Sequence, residues 1–158
     1  MNERLWEMAR RASTFGRGRL LSQPEGEKLR LHFKARLPEW YIELLSEVPL
    51  VECELEILTA DDDCLSVQWM SSQHMIQEDG EACPGVVART AGFVPVANCS
   101  VGTGDPYFVR FDGDDPAVWK VSHDSQGIID GRFDLNEHLQ VAPTLSDAFA
   151  RCIEPSNS

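Results

Sequence analysis

The sequence predicts an α+β fold: a central antiparallel β-sheet, a meander, packed by an N-terminal helix pair and a C-terminal helix. Three observations predict it. Apolar residues recur at helical spacing up to residue 48, the period drops from 3.6 to 2 over residues 51–122, and helical spacing returns at 145–153. The chain has 158 residues, 42% hydrophobic and 25% charged, the balance of one soluble globular domain. A chain of this size buries roughly 70% of its unfolded surface, so it folds without a disulfide or a metal.

The elements follow in order. Residues 3–12, ERLWEMARRA, place Leu5, Met8, Ala9 and Ala12 on one helical face. Residues 13–26 are rich in Gly, Ser, Arg and Pro and read as a loop. A second helical piece at 25–35 carries Leu29 and Phe33 at i and i+4. The clearest helix is LPEWYIELLSEV. Pro38 suits its first turn, and Glu39 complements the positive end of the helix dipole. Tyr41, Leu44, Leu45 and Val48 form its apolar stripe, and Pro49 stops it.

Strands follow. In VECELEI, Val51, Cys53, Leu55 and Ile57 alternate with Glu52, Glu54 and Glu56, a half-buried strand with an acidic face. Asp61, Asp62 and Asp63 make a turn, and Leu65, Val67 and Trp69 complete a hairpin. Residues 71–92 are polar and glycine-rich, with one short strand expected at 85–89. Phe93, Val94 and Val96 lead into NCSVGTGDPYFVRF, and Tyr107, Val109 and Phe111 lead out. A turn at 112–116 precedes a strand at 117–122, with Val118 on one face and Trp119 and Val121 on the other. Thr144 or Ser146 caps a last helix, LSDAFARCI, and the tail EPSNS is expected to fray.

The glycines at 102 and 104 raise the question of a phosphate loop. Such a loop needs a strand-to-helix setting and usually a lysine after its last glycine. Here the glycines open onto a strand, no lysine follows, and Asp105 would repel phosphate, so residues 100–106 read as a turn.

The helix LPEWY, the step FVPVA (93–97), the glycine/aspartate stretch 102–112, the strand VWKVSHD (118–124) and the helix LSDAFARCI (145–153) come in an order that resembles the SUKH superfamily. That group includes the fungal cell-wall assembly regulator and many bacterial toxin-immunity proteins. The likeness covers residues 37–153. It implies an α+β domain that binds rather than catalyses, often neutralising a cognate nuclease or deaminase toxin, and it carries over no catalytic residue. It divides the chain into a basic N-terminal helical segment (1–36), the SUKH-like domain (37–153) and a tail (154–158).

Charge is unevenly placed. Residues 1–36 hold nine Lys/Arg against four Asp/Glu, a net of +5, and residues 37–158 hold five against twenty-two, a net of −17. An acidic body repels nucleic acid and anionic lipid and attracts cationic partners. No apolar run reaches the ~18 residues of a membrane span. Arg10-Arg11 lacks the apolar stretch of an export signal, and five scattered cysteines fit reduced thiols, so a cytoplasmic protein is expected.

The expected function is therefore a non-enzymatic protein-binding module, an immunity protein that holds a basic toxin domain by stoichiometric contact. Its contact residues are Trp40, Asp61, Asp62, Asp63, Tyr107, Asp112, Asp114 and Asp115. Trp40 is expected partly exposed because Tyr41 takes the inward stripe, and an exposed tryptophan anchors a partner. The acidic turns read either as solvated faces or as one surface that mimics nucleic-acid phosphate. No cofactor is expected. The four histidines and five cysteines lack zinc spacing, and 112–116 lacks the glycine and distal glutamate of a calcium loop. Two alternatives stand beside this reading. One is a regulatory or scaffold domain docking through residues 1–36, separable by deleting that segment. The other is a thiol hydrolase using Cys99 with His123 and Asp124. Monomer and homodimer stay open, since an edge strand can pair two copies.

Overall fold

The computed structural model describes residues 2–101 and 104–155. The turn expected at 100–106 and the tail at 154–158 lie partly outside them. Seven helices and seven strands alternate as α1 (Glu3–Ser13), α2 (Gln23–Phe33), α3 (Glu39–Glu47), β1 (Glu54–Leu58), β2 (Cys64–Trp69), α4 (Ser72–Gly80), α5 (Gly85–Ala88), β3 (Val94–Cys99), β4 (Pro106–Val109), β5 (Val118–Lys120), α6 (Gln126–Ile129), β6 (Leu139–Ala142), α7 (Leu145–Ala150) and β7 (Cys152–Ile153). One antiparallel sheet of order β6-β5-β4-β3-β2-β1-β7 runs through the molecule, an α+β fold whose first six strands form the expected meander. The sheet curls: Arg151, just before β7 on one edge, donates to the Val141 carbonyl of β6 on the other, at 3.2 Å.

Both faces of the sheet centre are covered. The main core joins Leu5 of α1, Leu29 and Phe33 of α2, Tyr41 and Leu45 of α3, Trp69 of β2 and Phe149 of α7. A second, smaller core on the other face packs Val87, Phe93, Phe108, Val121 and Ile128, with Trp119 beside them. This places Tyr107 and Val109 in one core and Phe108 in the other, so every residue of β4 is buried. In the main core the Trp69 indole N–H donates to the Tyr41 hydroxyl at 2.8 Å.

Several elements differ from the sequence reading, each for a local reason. The second helix begins at Gln23, two residues early, because Ser22 and Glu25 form a reciprocal capping box. The first strand starts only at Glu54: Glu52 has φ +63° and turns the chain, leaving Val51 as a single bridge to Arg19. The strand expected at 85–89 is helix α5 and a 3₁₀ turn (Arg89–Ala91), since only one face of Val86-Val87-Ala88 has a core to enter, and Val86 stays exposed. Residues 72–80 are helix, started by Ser71, whose hydroxyl accepts from the His74 N–H. Thr144 caps the last helix by accepting from the Asp147 N–H at 3.0 Å, and that helix stops at Ala150 because Cys152 and Ile153 pair with β1.

Residues 3–33 are built into the main core, not appended to it: Leu5, Trp6, Ala9, Ala12, Leu21, Leu29 and Phe33 all enter it. Deleting residues 1–36 would therefore remove core rather than an appendage, and it does not separate scaffold from inhibitor. Four of the segment's nine basic side chains also pair with the rest of the molecule. Arg4 pairs with Asp147, Arg19 with Glu52, Arg30 with Glu39 and Arg36 with Asp79, each pair joining the basic segment to the acidic body.

Candidate functional site

Strand register separates the two acidic turns. Leu58 pairs with Cys64 beside the Asp61–Asp63 turn, and Val67 pairs with Cys99, so β3 ends at that same end of the sheet. β4 starts there, with Pro106 opposite Asn98, and finishes at Val109 opposite Val94. The turn carrying Asp112 and Asp114 therefore lies at the other end, at least the length of β4 away, roughly 13 Å at ~3.3 Å per residue. The single acidic surface expected from the sequence is two separate features.

At one end Asp61, Asp62 and Asp63 are exposed, and among the described residues none of them forms an ion pair. At the other end Trp40 is half-buried and meets Phe111 edge-on, with ring centroids 5.5 Å apart. Phe111 leads directly into Asp112 and Asp114, which are exposed, so Trp40 and these two carboxylates share one ledge. Arg110 partly neutralises it through a 3.1 Å pair with Asp112.

Tyr107 and Asp115 do not belong to either surface. Tyr107 is 1% exposed, because β4 is covered on both faces. Asp115 is turned inward, where it accepts from the Ser146 N–H at 2.8 Å and from the Ser146 hydroxyl, while the Asn2 amide donates to it at 3.4 Å. It ties the β4–β5 turn to the starts of α7 and α1 and is a structural carboxylate.

A cleft of about 680 Å³ was not read from the sequence. It opens between α4 and the outer face of β1–β3. Glu54, Gln68 and Asn98 come from the sheet, His74, Gln77 and Glu78 from α4 and Glu81 from the residue that ends it, and no lysine or arginine is among its lining residues. His74 and Glu78 stand one turn apart on α4 and share the cleft face. The Asn98 amide nitrogen lies 2.9 and 3.0 Å from the two ring nitrogens of His74 and fixes the ring against β3. Burial lowers the His74 pKa, which favours its neutral form. Glu78 is only 9% exposed and, among the described residues, has no hydrogen-bond or ion-pair partner. Burial pushes its carboxyl up to about 7. The signal that could have found this wall is Ser71, a helix N-cap at the head of a polar stretch that reads as loop.

The expected thiol constellation comes out differently. Cys99 lies at the end of β3 and lines the same cleft, and its thiol lies 2.8 Å from the Val101 carbonyl. His123 is held by Asp105 rather than by Asp124: the ring Nδ1 lies 2.5 Å from the Asp105 carboxylate, which also accepts from the His123 N–H. That contact raises the His123 pKa. Asn98 and Cys99 are successive strand residues and point to opposite faces, so the Asn98–His74 contact does not extend to the Cys99 thiol.

No family model, no curated protein and no solved structure matches the chain. Among the described residues no helix is long and apolar enough to cross a membrane.

Proposed function

We propose that the chain is a non-enzymatic binding module, a SUKH-like immunity protein that holds a basic toxin domain by stoichiometric contact. The observation that supports this most is where uncompensated negative charge remains. Four basic side chains of the N-terminal segment pair with the acidic body, while among the described residues the carboxylates of the cleft and of the Asp61–Asp63 turn have no ion-pair partner. Complementary charge of this kind raises association rates to ~10⁸ M⁻¹s⁻¹ at low salt and makes them fall as salt rises. The half-buried Trp40 beside Asp112 and Asp114 supplies an aromatic anchor of the type that dominates interface energies.

The burial of side chains from residues 3–33 in the main core weighs against a scaffold that docks through residues 1–36. In the hydrolase reading Asp124 would orient His123, and Asp105 holds that ring instead. Co-purification with the tagged chain tests the proposal. A single basic protein should elute one-to-one at low salt and be lost when Asp61, Asp62 and Asp63 are changed to lysine together with Asp112 and Asp114. Retention of the same partner by that variant at every salt would remove the acidic-contact reading.

A further inference from the structure

We infer that the cleft between α4 and the outer face of β1–β3 seats a basic side chain, a guanidinium or alkylammonium, presented by a protein segment, with Glu78 as its buried counter-charge. The identity of the segment as a toxin's rests on the function proposed above; the seat itself does not.

Two independent observations carry the inference. The first is the lining: Glu54, Glu78 and Glu81, with the side-chain amides of Gln68, Gln77 and Asn98, surround a space with no lysine or arginine among its lining residues. The second is Glu78 itself. A carboxylate nine-tenths buried is normally paired, because removing a charge from water is costly. The neighbouring Asp79 shows the ordinary solution on the same helix: wholly buried, it is bonded by Arg36 and His32. Glu78 has no such partner among the described residues, yet it lines an open cleft that can admit one from outside.

The cation is organic rather than metallic. Among the described residues no three His, Cys, Asp or Glu side chains stand close enough together to hold a metal ion. Carboxylates spread along a cleft of about 680 Å³ suit a long side chain and the peptide that carries it. The planar guanidinium can hydrogen-bond a carboxylate and amide oxygens at once.

The binding should depend on pH. The titratable residues lining the cleft are His74 and Glu78 of α4, Glu81 just after it, Cys83 of the following loop, Glu54 of β1 and, at its edge, Cys99 at the end of β3. Burial pushes Glu78 up to about 7 and lowers His74, so raising the pH from 6 to 8 ionises Glu78 while His74 gains no positive charge. An arriving cation meets more negative charge at the higher pH, and its binding releases a proton.

The probe is a capped Gly-Gly-Arg-Gly-Gly peptide titrated into the full chain, with Gly-Gly-Glu-Gly-Gly as control, read by amide NMR shifts. The arginine peptide should perturb residues 77–81 and Asn98, bind about fivefold tighter at pH 8 than at pH 6, and weaken about fivefold or more in Glu78→Gln. The glutamate peptide should leave these amides unmoved. Should Glu78→Gln fail to fold, the rim pair Glu54→Gln with Glu81→Gln should weaken the peptide and leave the pH trend in place. Peptide binding indifferent to Glu78→Gln, or shifts confined to the 61–63 and 112–114 turns, or no shifts at all would overturn the seat. A peptide that binds in the cleft of a chain that captures no protein would remove the immunity reading and leave the seat standing. A captured partner with a cleft blind to the peptide would do the reverse.

Discussion

Glu78 and Asp79 are successive buried carboxylates on α4 with opposite surroundings. Asp79 accepts two 2.8 Å hydrogen bonds from Arg36 and lies 2.8 Å from the His32 Nε2, with Arg89 3.8 Å away. Burial alone would raise its pKa, but these hydrogen bonds and charges together hold it below the usual carboxylate value. Glu78 meets only burial, and its pKa moves the other way. One carboxylate locks α2 and its following 3₁₀ turn (Lys34–Arg36) to α4, and the other is left facing a cleft.

The pair predicts two substitutions of opposite sign. Asp79→Asn leaves Arg36 without its buried counter-charge and should destabilise the fold by about 3 kcal/mol, read by denaturant unfolding at pH 7. Glu78→Gln should stabilise it, and only where the native carboxyl is forced to ionise. The Glu78 pKa is about 7 in the folded chain against the ordinary glutamate value of 4.5, so the folded state binds more protons between these values and stability falls as pH rises through them. Glu78→Gln should therefore be near neutral at pH 4.5 and gain about 1–2 kcal/mol at pH 8, with water at the cleft mouth reducing the full effect. Equal effects at both pH values would contradict the assignment.

Tyr41→Phe should cost about 1–3 kcal/mol. It removes the only acceptor shown for the Trp69 indole N–H, and both residues are essentially inaccessible to water. Trp69→Phe, which removes the donor instead, trades a different loss of packing against Phe149. If the buried hydrogen bond matters, the double substitution should cost less than the two single losses added, as thermal unfolding of all three variants would show.

Asp115→Ala should destabilise the chain by about 1–3 kcal/mol, because the Ser146 N–H and hydroxyl lose their acceptor where α1, α7 and the β4–β5 turn meet. Asp114→Ala, two side chains' breadth away and exposed, should change stability by no more than about 0.5 kcal/mol. Chemical denaturation curves for the two variants separate a structural carboxylate from a solvated one in the same turn.

Elements with one clear period were legible. The stripes of α1 and α3 and the alternation of β1 and β2 stand in the sequence because each buries a single face. What stayed hidden has two causes. β4 is buried on both sides, so Tyr107 reads as one half of an alternation when it has no outer face. Residues 72–80 carry too few apolar residues, and 139–142 are too short, for any period to show, yet the Ser71 cap and the partner strand β5 decide their structure. The cleft escaped for the same reason: its walls are polar residues from elements far apart in the chain. The pairing of the basic segment with the acidic body was equally out of reach, since it joins residues such as Arg4 and Asp147 that no local pattern connects.

We propose that the exposed carboxylates of the two acidic turns hold a basic protein in a one-to-one complex. It is tested most directly by isolating the tagged chain from its native host at low and at high salt, with the mass and stoichiometry of whatever co-elutes measured at each. One basic partner is expected, bound one-to-one at low salt, loosened at high salt and lost from the chain carrying lysine at 61–63, 112 and 114. A partner that is acidic, or one whose retention ignores both salt and those charge reversals, would contradict it.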